Sequence, residues 1–165
     1  MEGMDLETLA AQLGESLRQR GLMLATAESC TGGWVAQAIT AISGSSQWFE
    51  RGFVTYSNAA KMELLGVNPA TLEQHGAVSE PTVREMAQGA LARSHAQVAV
   101  AVSGIAGPGG GSLEKPVGTV CLAWAGSGMD TQAQCLLFTG NREAVRRQAV
   151  AAVLRGLLDL WREQP

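Results

Sequence analysis

The run Val98-Ala99-Val100-Ala101-Val102 constrains this chain more than any other stretch. Its residues are β-branched or small and apolar, with no polar alternation. That is the pattern of an interior strand buried on both faces, not of a strand with one wet face. Such a strand needs apolar cover on each side, which predicts a sheet with helices above and below. The run ends in Ser103-Gly104-Ile105-Ala106-Gly107-Pro108-Gly109-Gly110-Gly111-Ser112, too glycine-rich for regular structure.

The flanking segments fit the same scheme. Asp5 can cap a first helix in which Leu6, Leu9, Ala10, Leu13 and Leu17 recur at helical spacing. Glu2, Asp5 and Glu7 sit near its positive end, and Arg18 and Arg20 near its negative end. This reads as a packing or oligomer-forming helix without chemistry of its own. Residues 22–27 read as a strand and 31–42 as a small-residue helix. Trp48-Phe49 then returns the chain to the core. Residues 52–57 read as a second strand, with Asn58 capping a short helix that carries Lys61, Leu64 and Leu65 and ends at Gly66. Asn68-Pro69 starts another short helix that ends near His75-Gly76. Ser79-Glu80-Pro81 starts a longer one, reaching about Ser94, with Val83, Met86, Ala87, Ala90 and Leu91 on one face. Residues 117–125 and 131–138 suggest a hairpin around Gly126-Ser127-Gly128. Asn141 caps the last helix, with Val145, Ala149, Val153, Leu157 and Trp161 in its inner stripe. Together these predict a single α/β domain over residues 1–165: three α/β/α layers around a mixed, mostly parallel sheet with an antiparallel hairpin.

Composition narrows the function classes. At 165 residues, 46% hydrophobic and 16% charged, the chain has the size and apolar content of one domain with a substantial core. A net charge of −3 and a pI near 5.4 argue against a general nucleic-acid or anionic-membrane binder. No apolar stretch approaches the roughly 20 residues of a membrane span. Cys30, Cys121 and Cys135 are odd in number and lack CxxC spacing, which reads as a reduced, cytoplasmic protein. His75 and His95 lie far apart without metal-ligand spacing, so no metal site is expected.

The chemistry concentrates in Ala27-Glu28-Ser29-Cys30-Thr31-Gly32-Gly33. A strand end here faces the start of a helix, where free amides and the helix dipole favour an anion. Gly32 and Gly33 allow a tight turn and close approach of a ligand. A hydroxyl or thiol so placed could attack a carbonyl while neighbouring amides stabilise the oxyanion. Ser29 could equally be a helix cap, and Cys30 is the rival nucleophile. Lysine is scarce, with only Lys61 and Lys115 present. If the sheet is parallel, Ser29, the stretch from Tyr56 to Lys61 and the stretch from Ser103 to Gly107 converge on one crevice. Lys61 is then either a base for Ser29 or a solvated helix lysine. Arg142, Arg146 and Arg147 crowd the start of the last helix, where cations oppose the dipole unless an anion binds. A solvated arginine face, or salt bridges to another subunit, is the other reading. The loop after Gly104 could cradle a phosphate, but it is neither a Walker A loop nor a dinucleotide fingerprint.

Six blocks in order carry a resemblance. They are the Ala27–Gly33 motif, Tyr56-Ser57-Asn58-Ala59-Ala60-Lys61, Ala77-Val78-Ser79, Ser103 to Gly110, Lys115-Pro116-Val117-Gly118-Thr119-Val120 and Phe138-Thr139-Gly140-Asn141-Arg142-Glu143. Over about residues 5 to 163 the chain closely resembles the CinA C-terminal domain family. The activities of the N-terminal domain in fused members are not carried over. The resemblance implies hydrolysis of nicotinamide mononucleotide to nicotinate mononucleotide and ammonia, in bacterial pyridine-nucleotide recycling. It implies Ser29 as nucleophile, Lys61 as its base and Tyr56 beside them to orient the pair or relay a proton. Ser103 matches a hydroxyl residue near the reacting amide, and Arg142 a ligand for the substrate phosphate. Cys30, Thr31, Gly32, Gly104 and Gly107 complete the expected substrate-binding set, the amides after Ser29 and around Gly104 being oxyanion-hole candidates. A homodimer or larger homo-oligomer is implied, with no metal or organic cofactor. Two alternatives stand beside this: an inactive nucleotide-binding regulatory module, and an amidohydrolase for another anionic amide.

Overall fold

A computed structural model describes residues 5–162, with side chains through residue 160. The elements are α1 (Leu6–Arg20), β1 (Leu24–Glu28), α2 (Trp34–Thr40), a 3-10 turn (Ser45–Gln47), β2 (Phe49–Val54), α3 (Asn58–Leu65), α4 (Pro69–His75), α5 (Glu80–Ala92), β3 (Val98–Gly104), β4 (Thr119–Gly126), β5 (Met129–Leu137) and α6 (Arg142–Arg162). Glu2 and the Trp161 side chain, both assigned to helices from the pattern, lie outside the described set.

The strands form one sheet in the order β2-β1-β3-β4-β5. Both β2 and β3 pair with β1 in parallel, while β3–β4 and β4–β5 are antiparallel. It follows that β4 alone runs against the rest, and the mixed sheet with its terminal hairpin is as expected. The Val98–Val102 strand lies at the centre and is buried throughout.

Alternation along that strand divides the core. Val98, Val100 and Val102 face Leu13 and Leu17 of α1, Val35 and Ile39 of α2, and Val153 and Leu157 of α6. Ala99 and Ala101 face the other way, toward Leu65 of α3 and Val83, Met86, Ala87 and Ala90 of α5. One layer is thus built from large side chains against valines, the other from small ones against alanines. At about 25 cal/mol per Å² of apolar surface removed from water, these two faces hold the three layers together.

Several boundaries differ from the pattern-based expectation, each for a local reason. Gly32 and Gly33 take positive φ angles of 59° and 105°, so the chain turns through 31–33 and α2 begins only at Trp34. β2 starts earlier than expected because Phe49 already pairs with Leu24, and it stops before Tyr56. Ser57, not Asn58, caps α3, its Oγ accepting from the Ala60 amide at 3.0 Å. The expectation of three reduced cysteines also fails. Cys121 and Cys135 stand directly opposite on β4 and β5, their Cα atoms 4.0 Å apart, and form a disulfide. Their separation of 14 residues brackets the hairpin turn, which brings together two thiols that lack any short motif. Cys30 is free and buried.

Candidate active site

Parallel β1, β2 and β3 deliver their C-terminal ends to one edge of the sheet. There Ser29 follows β1, Tyr56 follows β2 and Gly104 ends β3, all lining a cleft of about 290 Å³. Lys61 enters from α3, whose N-terminus starts two residues beyond Tyr56. It is the largest fully buried side chain of the described residues, only 1% exposed. Its Nζ donates to Ser29 Oγ at 3.0 Å and to the Thr55 carbonyl at 2.9 Å. Burial holds the ammonium below its usual pKa of 10.5. A hydroxyl and a partly desolvated amine therefore meet at hydrogen-bond distance, as a nucleophile and its base must.

The turn that presents Ser29 is held from two sides. Glu28, 1% exposed, turns its carboxylate back under α2 and accepts from Thr31 Oγ1 at 2.6 Å and from the amides of Gly33, Val35 and Ala36 at 2.8 to 3.2 Å. All four partners donate to it, so its two oxygens serve as the acceptors of the turn. This corrects the expectation of an anion site open at the helix N-terminus. The chain fills that place with its own glutamate, and Ser29 is not the cap. On the other side Arg146 of α6 donates to the carbonyls of Cys30 and Thr31 at 3.0 and 3.1 Å. Its guanidinium lies 5.4 Å from the centre of the Trp34 ring.

At the mouth of the cleft Arg142 donates to the Gly107 carbonyl at 2.7 Å and to the Tyr56 hydroxyl at 3.1 Å. The phenol, on a residue 62% exposed, thus engages Arg142 and not the Ser29–Lys61 pair. Only the Tyr56 carbonyl comes within reach of Ser29, accepting from its Oγ at 3.5 Å. Burial pushes the Cys30 thiol up to about 11, against the opposing pull of Arg146. Cys30 is therefore protonated at neutral pH and lines the cleft as a small apolar group.

Of the residues singled out from the sequence, Ser29, Cys30, Tyr56, Lys61, Gly104, Gly107 and Arg142 all border this cleft. Thr31, Gly32 and Ser103 do not. Thr31 is committed to Glu28, the Gly32 amide donates to the Ser29 carbonyl at 3.0 Å, and Ser103 is buried one position before Gly104. Gly104 has to be glycine, since a Cβ there would press on Val120, the Thr119 carbonyl and the Cys30 sulfur. Sequence reasoning missed Glu28, Thr55 and the carbonyl-binding role of Arg146. No spacing rule announces any of the three, because each acts through backbone groups brought near by the fold. Among the described residues no group of three or more His, Cys, Asp or Glu side chains could hold a metal ion. No helix among them is long and apolar enough to cross a membrane.

Comparison with known proteins adds an independent line. The family description "CinA C-terminal domain" matches residues 6–161. The chain is 57% identical over 166 residues to the nicotinamide-nucleotide amidohydrolase PncC of Escherichia coli K12, covering 99% of this chain and 97% of that one. It is 56% identical over 158 residues to the protein of the same name from Pseudomonas putida, at 96% and 98% coverage. Among solved structures, the competence/damage inducible protein CihA of Agrobacterium tumefaciens superposes with a TM-score of 0.93 at 47% identity, covering 97% of this chain and 98% of that one.

Proposed function

Because the chain belongs to the CinA C-terminal domain family, we propose that it hydrolyses the carboxamide of nicotinamide mononucleotide to nicotinate mononucleotide and ammonia through a Ser29 acyl-enzyme. The observation that carries the mechanism is the 3.0 Å contact between Ser29 Oγ and the buried Lys61 Nζ, inside a cleft with a guanidinium at its mouth. The substrate follows the printed name of relatives that match this chain along nearly its whole length.

In this reading neutral Lys61 takes the Ser29 proton as Oγ bonds to the carboxamide carbon. Lys61 then passes that proton to the amide nitrogen, the C–N bond breaks, and ammonia leaves an ester on Ser29. Water attacks the ester, Lys61 takes the proton of the water and returns it to Ser29, and the acid departs. Around the nucleophile, the amides of Ser29 and Gly32 already donate to the carbonyls of Val102 and Ser29, and those of Gly33, Val35 and Ala36 to Glu28. The Cys30 amide, on a residue that borders the cleft, is thus the donor assigned to the developing oxyanion. Arg142 takes the substrate phosphate, exchanging its bond to Tyr56 or to Gly107 for the anion. Tyr56 acts by orienting Arg142.

Ammonia release from nicotinamide mononucleotide tests the reading. Ser29→Ala should lower kcat on the order of 10^4-fold or more with unchanged melting behaviour, and Lys61→Ala about 10^2- to 10^4-fold in a protein that still folds. Calorimetric binding without turnover by the wild-type protein would identify a binding module instead. Equal turnover of nicotinamide riboside would remove the phosphate from the account. The reading places the protein in the cytoplasm, in pyridine-nucleotide recycling, as a homodimer or larger homo-oligomer; sedimentation velocity checks the last point.

A further inference from the structure

We propose that Arg146 is a positioning residue for the nucleophile: working against the buried Glu28 carboxylate, it fixes the peptide planes that follow Ser29. The inference rests on Ser29 being the nucleophile, as proposed above. Arg146 is not among the residues lining the cleft. Its Nε and a terminal nitrogen take the carbonyls of two consecutive residues, Cys30 and Thr31, in one fork. In a trans peptide the N–H points opposite to the C=O of the same unit. Aiming the Cys30 carbonyl at α6 therefore aims the Thr31 amide away from α6. Aiming the Thr31 carbonyl the same way sends the Gly32 amide to its partner, the Ser29 carbonyl.

Glu28 completes the clamp. It binds Thr31 Oγ1 and the amides of Gly33, Val35 and Ala36, so four donors of the turn meet one side chain and the carbonyls of Cys30 and Thr31 meet another. Without Arg146 the Cys30 carbonyl would have to find water while the Thr31 carbonyl kept only the Trp34 amide, and the plane joining Cys30 to Thr31 would be free to rotate beside the nucleophile. The Trp34 ring under the guanidinium limits its swing. A group with this role contributes to the transition state and little to ground-state binding, so its removal falls on kcat.

The test compares wild type, Arg146→Ala and Arg146→Lys, with Ser29→Ala assayed in parallel to check the underlying reading. For ammonia release, Arg146→Ala should lose about 10^2-fold in kcat while KM for nicotinamide mononucleotide changes little. Arg146→Lys, which keeps the charge without the fork, should lie between, and guanidinium at millimolar concentration should restore part of the Arg146→Ala activity where methylammonium does not. The rate at which phenylmethylsulfonyl fluoride sulfonylates Ser29, read by mass spectrometry, should fall in the same order and needs no knowledge of the substrate. A raised KM with kcat intact would make Arg146 a substrate ligand. Unchanged kcat and unchanged sulfonylation in either folded variant would likewise overturn the proposal.

Discussion

An ammonium placed where Lys61 sits gives up nearly all its water and receives the Thr55 carbonyl and the Ser29 hydroxyl in return. That exchange disfavours the charged form, in the direction a base requires. Protonated below its folded pKa, the amine cannot accept from Ser29; neutral above it, the amine can. The pH profile of kcat/KM should accordingly rise with pH and level off at a pKa below 10.5, since burial lowers the value in the folded state. A limb still rising through 10.5 would contradict the assignment of Lys61 as base. Cys30 behaves oppositely. With its thiol pushed up to about 11, it should resist iodoacetamide at neutral pH, and Cys30→Ala should keep kcat within about tenfold of wild type. Loss of turnover in Cys30→Ala with retention in Ser29→Ala would reverse the two roles. Ser29 was singled out in the sequence by its turn and Lys61 by the rarity of lysine, while their pairing came only with the family resemblance. Glu28 was not, though it directly precedes Ser29. Its carboxylate matters only once residues 31–36 have folded back over it, and no local pattern encodes that return.

At the scale of elements, caps were the most legible feature. Asp5, Asn68, Ser79 and Asn141 each accept from an amide at a helix start, as their positions suggested. Strand ends were less legible, because pairing sets them. β1 runs on through Glu28 since Val54 and Val102 flank it on both sides, whatever its own propensity. The disulfide is likewise a product of register. Cys121 faces Cys135 on one side and Ser103 on the other, so the bridge joins the edge strand to the row that reaches the site. Closing a loop of this length stabilises by about 3 kcal/mol where the oxidised form persists. Dithiothreitol should therefore lower the melting temperature of the wild type and leave that of Cys135→Ser unchanged. Disulfides are rare in reducing compartments. Thiol titration of freshly lysed cells will show which form the protein holds at its working site, and equal melting with and without reductant would remove the bridge from the account.

Across the whole molecule the two sides of the sheet are not equivalent. Valines and large side chains fill the side of α1, α2 and α6, which holds the turn bearing Ser29 through Glu28 and Arg146. Alanines line the side of α3 and α5, which supplies Lys61. On that side Gly89 of α5 lies where the Leu65 carbonyl at the end of α3 comes in, and a Cβ there would run into that carbonyl. Gly89→Ala gains helix propensity of about 1 kcal/mol. The collision outweighs it, and a net loss of about 1–3 kcal/mol should appear in chemical denaturation. Since α3 must move to relieve it, kcat should drop as well, although Gly89 touches neither reacting atom. The bare Cα at that crossing works as a shim of zero thickness. The span between hydroxyl and amine is set by how closely two helices stack, so the reactivity of the pair can be tuned by side-chain bulk placed far from any substrate.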